Sequence, residues 1–566
     1  MLKKLTDKVD IFSVYDLVIS VLFGVIILYL IILAGYSTSV VNTLEQTYLI
    51  KDNPITNLFI LILFIELLVP FSRLAKNAVA DPAFFPRYKK IILRVFVVIM
   101  VLYVFNARKQ QCYDSAYIFD VAREWRRGIF DSMQPGGYAE AHTNNKGIIL
   151  LIYLASYLVG SENYLFFQLL NVLFLALLYN ALVKIAKAQK MSDAGALMLL
   201  LSCVLFLPLN LYAIFTYGLI MGLSCMVNAL LYAVKYLDSK DYQHAIISVA
   251  FAFMGVLIKQ NSVIMLLGLI FFVLISIMKN PSKGTIIFTL ALLGVLILTN
   301  PVIKLVTDAI TGTKTSGGIA MKAYIAMGLN EDSYLYPGWY NIYVDGSYSD
   351  ANMSTELQQK AADELIKDKW KDFRNNPAYC LDYFSKKNAS QWNNPDFESV
   401  WVMQYRETAN PDYPKILTYL ESVEGADLYN RVSNRIQFII LFGVAMYVIL
   451  KRKKTEIELY YCMVVIGGFV FHTFWEAKSQ YILPYFVLML PLYVSGYVEL
   501  LHLYRTSQNI FKEKRLVISF CVIFILYLTV WFDVSNNMTC IFNRTEDTER
   551  YEEYVRTPQE GFESPW

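Results

Sequence analysis

Long, charge-poor apolar runs recur along the chain, separated by short polar or basic segments. A helix needs about 20 such residues to cross a hydrocarbon core roughly 30 Å thick. On that pattern spans are predicted over residues 12–34, 57–75, 91–106, 163–183, 194–215, 219–236, 244–258, 261–278, 285–305, 436–450, 458–474, 481–502 and 516–533. Residues 147–160 (GIILLIYLASYLVG) are apolar too, but a run of this length suits an interfacial or re-entrant segment better than a crossing. The first run follows Lys3, Lys4 and Lys8. It outlasts the apolar core of a signal peptide and no small-x-small cleavage pattern follows, so a retained anchor is expected.

Charge tests the omission of 147–160. Without it, Arg73, Lys76, Arg87, Lys89 and Lys90, then Lys184, Lys187 and Lys190, then Lys235, Lys240, Lys279 and Lys283 fall on one side. The run Lys451-Arg452-Lys453-Lys454 and the group Arg505, Lys512, Lys514 and Arg515 join them. That is the positive-inside bias. Counting 147–160 as a span would invert every loop between 161 and 308. The expected topology has thirteen spans, the amino end in the cytoplasm and the carboxyl end outside.

Two polar segments then face the exterior, 107–146 and 309–435. The second is too long for a connector and carries helical stretches such as Thr355 to Trp370. The expected fold is an all-α polytopic membrane protein with a juxtamembrane interfacial helix and a small mixed extracytoplasmic cap. Its parts are an N-terminal two-span segment (1–90), a transmembrane module with the exterior loop 107–160 (91–308), the cap (309–435), C-terminal transmembrane helices (436–535) and an exterior tail (536–566).

Composition supports the class. Of 566 residues, 56% are hydrophobic and 17% charged, against about 45–50% and 25% in soluble globular chains. A net charge of +3 says little about partners, and no basic domain or arginine-rich stripe points to nucleic acid. Seven cysteines and four histidines show no metal-ligand spacing. No cofactor is expected; a divalent metal is compatible with the sequence but not indicated by it. Cys112, Cys380 and Cys540 fall outside, with no pairing selected. Phosphate-binding glycine loops, GxSxG and HExxH are all absent.

Ionisable residues at a membrane rim are functional candidates by default. One exterior cluster runs from Cys112 through Asp114, Tyr117, Asp120 and Arg123 to Gly128, with Gly128 as a helix stop. On spacing alone Asp114 reads as the cap of that helix. A second cluster runs from Tyr138 through Glu140, His142, Asn145 and Lys146. There Lys146 reads as a snorkelling lysine. The third is Phe474-Trp475-Glu476-Ala477-Lys478-Ser479-Gln480-Tyr481, where Glu476 and Lys478 read as an ion pair among belt aromatics. Lys259 departs from the positive-inside pattern.

In this order the features resemble the GT-C class of polytopic glycosyltransferases, in the protein-mannosyltransferase and aminoarabinose-transferase (family 39-like) branch. The resemblance rests on Asp114-Ser115-Ala116-Tyr117-Ile118-Phe119-Asp120-Val121-Ala122-Arg123-Glu124, with Ser115 in place of a second acid, and on His142-Thr143-Asn144-Asn145-Lys146-Gly147. It continues through Phe215-Thr216-Tyr217-Gly218, Gly255-Val256-Leu257-Ile258-Lys259-Gln260 and Trp475-Glu476-Ala477-Lys478-Ser479-Gln480-Tyr481, over residues 85–535. Spans 12–34 and 57–75 look like an added pair.

The resemblance implies transfer of a sugar from a polyprenyl-phosphate donor to a glycan, lipid or protein acceptor outside the cytoplasm, in a bacterial plasma membrane. It implies Asp114 as an inverting general base, with Lys259, Lys478 and Lys146 on the donor phosphate and Glu476, Tyr117, Tyr481 and Asn145 positioning substrate. Trp339-Tyr340-Asn341 and Trp392-Asn393-Asn394 offer aromatic faces to sugar rings, or else form the cap's core. A polymerase joining lipid-linked repeat units shares the same exterior site, and a transporter or flippase of lipid-linked saccharides is the alternative from another class. The transporter calls for paired broken helices.

Overall fold

The computed structural model describes residues 11–160, 162–315, 317–331, 336–506 and 545–556. The predicted span 516–533, Cys540 and most of the tail lie outside the described residues.

Among the described residues, ten helices are long and apolar enough to cross a membrane, or eleven if one bent pair counts as a single span. The chain is therefore a polytopic helical membrane protein. The helices α1 (Ile11–Tyr36), α2 (Pro54–Ala78) and α3 (Phe84–Ala107) occupy the first three predicted spans. Between α1 and α2 the chain makes an antiparallel hairpin, β1 (Ser37–Val41) with β2 (Thr47–Lys51), pairing Ser37 with Lys51 and Val41 with Thr47. Beyond α3 come α4 (Asp114–Arg126) and α5 (Lys146–Val159), then α6 (Tyr164–Ala188). The predicted span 194–215 is broken: α7 (Asp193–Leu205) and residues 207–214 meet at a 49° bend. Pro208 follows the break, where its ring would clash with a continuous helix. Next are α8 (Leu219–Ser239), α9 (Tyr242–Ile258), α10 (Val263–Lys279) and α11 (Lys283–Thr311). At 17 residues α9 is shorter than a usual span.

Side-chain caps set many of these boundaries. Asn53 accepts from the Ile55 and Thr56 amides ahead of α2, with Pro54 at its first position. Ser192 and Ser282 cap α7 and α11.

The long polar stretch after α11 folds into helices, among them α12 (Met321–Gly328), α13 (Thr355–Asn375) and α14 (Pro377–Trp392). Three apolar helices follow: α15 (Val423–Leu450), α16 (Glu456–Phe474) and α17 (Leu483–Thr506). Thr455 and Glu458 form a reciprocal capping box at the start of α16.

The loops sort into two ends of the bundle. Around the basic run 451–454, Gln189 bonds Thr455 at 2.8 Å, Lys279 pairs with Glu456 at 2.7 Å and Arg505 bonds Ser72 at 2.7 Å. At the opposite, polar end, the Ser39 amide bonds the Asn393 carbonyl, Ala409 bonds Arg108, Ile319 bonds Ala141 and Ala477 bonds Gly338. Helix α5 both starts and finishes at this polar end. Its first turn docks on the end of α9, where a β-carbon on Gly147 would lie 2.0 Å from the Leu257 carbonyl oxygen. Along its length it runs beside α4, with Trp125 against Tyr153 and Arg126 3.6 Å above the Tyr157 ring. Just past α5, Glu162 pairs back to Arg123 of α4 at 3.1 Å. Its outer face is apolar and open, with Leu158 89% exposed.

The N-terminal segment is not a separate layer. Ser39, Asn393 and Asn394 stitch the hairpin to the residues after α14, and Asp52 accepts from Thr38 and Asn434.

Candidate functional site

Helix α4 places Asp114 at its first residue. The preceding Tyr113 has φ +50° and ψ −140° and makes no side-chain cap. Asp114 does not cap the helix either. Its Oδ1 accepts from the Tyr138 hydroxyl at 2.8 Å and its Oδ2 from the Tyr217 hydroxyl at 3.0 Å. Asn145 ties the two tyrosines together, its Nδ2 donating to Tyr138 at 2.8 Å and to Tyr217 at 2.9 Å. Asp114 itself remains exposed.

Gly218, at φ +83°, turns the chain so that Tyr217 faces this carboxylate; a side chain there would meet Ile258 at 2.9 Å. Lys259, just past α9, sets its ammonium 3.8 Å above the centre of the Tyr217 ring. Burial pushes Lys259 down to about 8, against the opposing pull of Asp114 and Glu476.

The hairpin between α16 and α17 supplies Glu476, Lys478 and Tyr481. Glu476 is buried, and that burial pushes its carboxyl up to about 7, with Lys478 and Lys259 acting in the other direction and Glu45 and Asp114 adding to the rise. Lys478 pairs with Glu45 at the hairpin tip and lies 4.0 Å from Glu398. These carboxylates hold the Lys478 ammonium above its ordinary range despite burial. Its side chain also lies over the Trp401 ring at 5.1 Å. Tyr481 stacks on His472 at 5.9 Å. Asp114, Lys259, Glu476 and Lys478 thus act on one another electrostatically.

The remaining predicted residues differ in their surroundings. Lys146 is buried at 2% exposure instead of snorkelling, its ammonium has no hydrogen-bond partner, and burial pushes it down to about 8. The charges acting on it are Glu140, Asp308 and Lys304. Tyr117 is 51% exposed beside Tyr138, without a bond to Asp114. Glu476 does not pair with Lys478 directly; Glu45 and Glu398 do. Asp120 is engaged by Arg123 at 2.6 Å. The aromatic faces also divide: Trp339 and Trp392 are core residues at 2% and 0% exposure, whereas Tyr340 is open. Cys112 and Cys380 are free thiols.

Sequence reasoning missed four residues here. Glu45 sits in a tight turn at φ +60°, where the Asn42 side chain accepts from the Leu44 and Gln46 amides. Glu398, fully buried, accepts through Oε1 from the Ser479 amide and hydroxyl at 2.9 and 2.7 Å; burial pushes its carboxyl up to about 7. Arg406 is buried, donating to the Ser115 hydroxyl at 3.0 Å and the Val402 carbonyl at 2.8 Å over the Phe215 ring. It braces the start of α4 beside Asp114. Lys387 donates to the carbonyls of Gly328 and Trp475, locking α12 onto the hairpin that carries Glu476. A charged residue inside a predicted polar layer is the one signal that could have flagged them.

Behind this cluster lies a shallow apolar recess at the α7 break, lined by Leu205, Leu207, Phe397, Val432, Ile436 and Phe486. Leu205 and Leu207 are open at its mouth. Phe397 and Glu398 are both in the left-handed region, so consecutive residues face the recess and the charged cluster. Among the described residues, no three His, Cys, Asp or Glu side chains are grouped to hold a metal ion.

Fold and site together define a multi-pass helical membrane protein with a charged, tyrosine-rich cluster at one end of its bundle. No family model and no curated protein matches the chain. Among solved structures it is similar to the archaeal oligosaccharyltransferase AglB from Archaeoglobus fulgidus, in complex with an inhibitory peptide and a dolichol-phosphate. The identity is 14% over 85% of this chain and 62% of that one, with a TM-score of 0.37. The chain thus spans 62% of that protein's length. A likeness of this degree carries no argument about the site, which rests on its own geometry.

Proposed function

We propose that the protein is a GT-C-like integral-membrane glycosyltransferase that moves a sugar from a polyprenyl-phosphate donor to an acceptor hydroxyl on the extracytoplasmic side. The observation that carries this reading is Asp114: its carboxylate is oriented by two tyrosine hydroxyls, with an ammonium 3.8 Å over the ring of one of them. An orienting network around an exposed carboxylate is what a general base requires.

In the step proposed, the acceptor oxygen attacks the anomeric carbon as Asp114 takes its proton. The carbon–oxygen bond to the carrier phosphate breaks, and its electron pair leaves with the phosphate. One displacement inverts the anomeric centre. Negative charge grows on the leaving phosphate, and a nearby ammonium in a poorly solvated site stabilises that change. Lys259 is the better placed for this task, because Glu45 and Glu398 already compensate Lys478. Lys146, buried and without a hydrogen-bond partner for its ammonium, is given no donor contact in this step.

The recess at the α7 break supports the lipid side of the reading. It is apolar, opens beside Leu205 and Leu207, and ends one residue from Glu398. A carrier chain entering from the bilayer would lie there with its phosphate toward Lys259. On the positive-inside bias, the end with Lys451–Lys454 is read as cytoplasmic and the Asp114 cluster as extracytoplasmic. A transporter would call for paired broken helices, and one bent pair occurs among the described residues.

The test is a comparison of lipid-linked sugar pools and envelope glycan in cells with and without the protein. Loss should build up the sugar-loaded carrier and remove a sugar from one envelope component. Restoration by wild type and not by Asp114→Asn is the expected result. Unchanged pools and glycan would refute the reading.

A further inference from the structure

The glycosyltransferase reading leaves the acceptor open, and the surface next to Asp114 bears on it. Tyr138, whose hydroxyl bonds Asp114, has its ring 5.2 Å from Tyr117 on one side and 4.7 Å from His142 on the other. His142 reaches Asp345 at 3.4 Å, and Asp345 accepts from the Tyr340 hydroxyl at 2.9 Å. The five side chains form one continuous rim from α4 to the helical layer after α11. Tyr117 is 51% and Tyr340 41% exposed, and the Asp345 side chain is 40% exposed.

Large aromatic rings left open in two separate elements, joined by polar groups and leading to the proposed base, are not explained by packing. Trp339, next to Tyr340 in sequence, does the packing there and is buried.

We propose that this rim binds the acceptor, and that the acceptor is a neutral saccharide; the proposal rests on the reading of Asp114 given above. Sugar rings present apolar C–H faces to aromatic side chains and hydroxyls to carboxylate and imidazole groups. The rim offers both in alternation, as a site with an apolar surface and a few convergent polar groups does. Asp345 and Asp114 flank it, which disfavours an anionic acceptor. A saccharide lying over Tyr117 and Tyr138 brings a hydroxyl within reach of Asp114, and a chain of several units extends over His142 toward Tyr340. The rim so defined selects the acceptor by ring stacking, while the lipid-linked donor approaches from the recess side.

Binding tests this separately from catalysis. The purified full chain, without donor, is titrated with neutral oligosaccharides released from the producing cells' envelope glycan, and in parallel with a Ser/Thr-rich peptide. Saturable saccharide binding is expected, weakened about tenfold or more by Tyr117→Ala or Tyr340→Ala. Tyr117→Phe and Tyr340→Phe, which keep the rings, should bind nearly as wild type does. Absence of saccharide binding, equal binding by the alanine variants, or selective peptide binding would overturn the proposal. Consumption of a polyprenyl-phosphate sugar by wild type is followed alongside. Its absence refutes the glycosyltransferase reading, whereas the titration reports on the rim whatever that outcome.

Discussion

The state of Lys259 at working pH governs the proposed donor site. Its ammonium has been pushed down to about 8 by burial, so a rising pH removes the charge that would meet the donor phosphate. The expected profile is a donor KM that rises as pH passes about 8. Lys259→Arg should carry its charge beyond this range, because guanidinium does not deprotonate in proteins. Its alkaline rise should disappear even if the maximal rate falls. An identical alkaline limb in both proteins would assign that limb elsewhere. Glu476 titrates in the opposite sense: its carboxyl, pushed up to about 7, is neutral below that value and charged above it. Glu476→Gln should flatten whatever part of the profile lies near neutrality.

Among the elements, α5 decides the geometry of the site. Its first turn follows directly on Asn145, carries Lys146 and abuts α9 at Leu257, where Gly147 leaves no room for a β-carbon. Gly147→Val should lift this turn away from Lys259, separating Asn145 from Tyr217. Activity should fall by at least about tenfold, with a lower unfolding temperature in detergent. Wild-type turnover from this variant would mean that α5 does not set the site.

The apolar runs made most of the spanning helices legible, because a charge-free stretch of that length has few other places to go. Reading 147–160 as too short to cross was also open to the sequence, since the loop lysines on either side supplied a parity check. The bend at Phe206 had one sign in the sequence, Pro208, which a count of apolar residues passes over. Nor was the role of Trp392: its composition suits a sugar platform and a core equally, and only packing distinguishes them. Glu45 and Lys478 meet across 433 residues, and no local pattern announces such a partner. The same holds for Arg406, which reaches Ser115 from 291 residues away.

For the molecule as a whole, the first two apolar helices are part of the site rather than an appendage. Their connecting hairpin delivers Glu45 to Lys478 and is hydrogen-bonded to the loop that holds Glu398. Glu45→Gln should free the Lys478 ammonium, leaving Glu398 as its remaining close carboxylate. The expected consequence is tighter binding of the phosphate donor with a slower release of product; unchanged KM and turnover would make the pair merely structural. Sidedness can be checked at the same scale. A reporter inserted near residue 188 should be cytoplasmic, and one near residue 350 should be outside.

Reconstitution gives the most direct measurement. Purified full chain in liposomes is supplied with a radiolabelled polyprenyl-phosphate sugar and an acceptor fraction from the cell envelope, and the rate of label transfer is compared between wild type and Asp114→Asn. Removing a positioned general base costs about 10²–10⁴ in rate, so transfer should fall at least that far while the variant folds and inserts normally. Label transfer by Asp114→Asn at the wild-type rate would contradict the account at its centre.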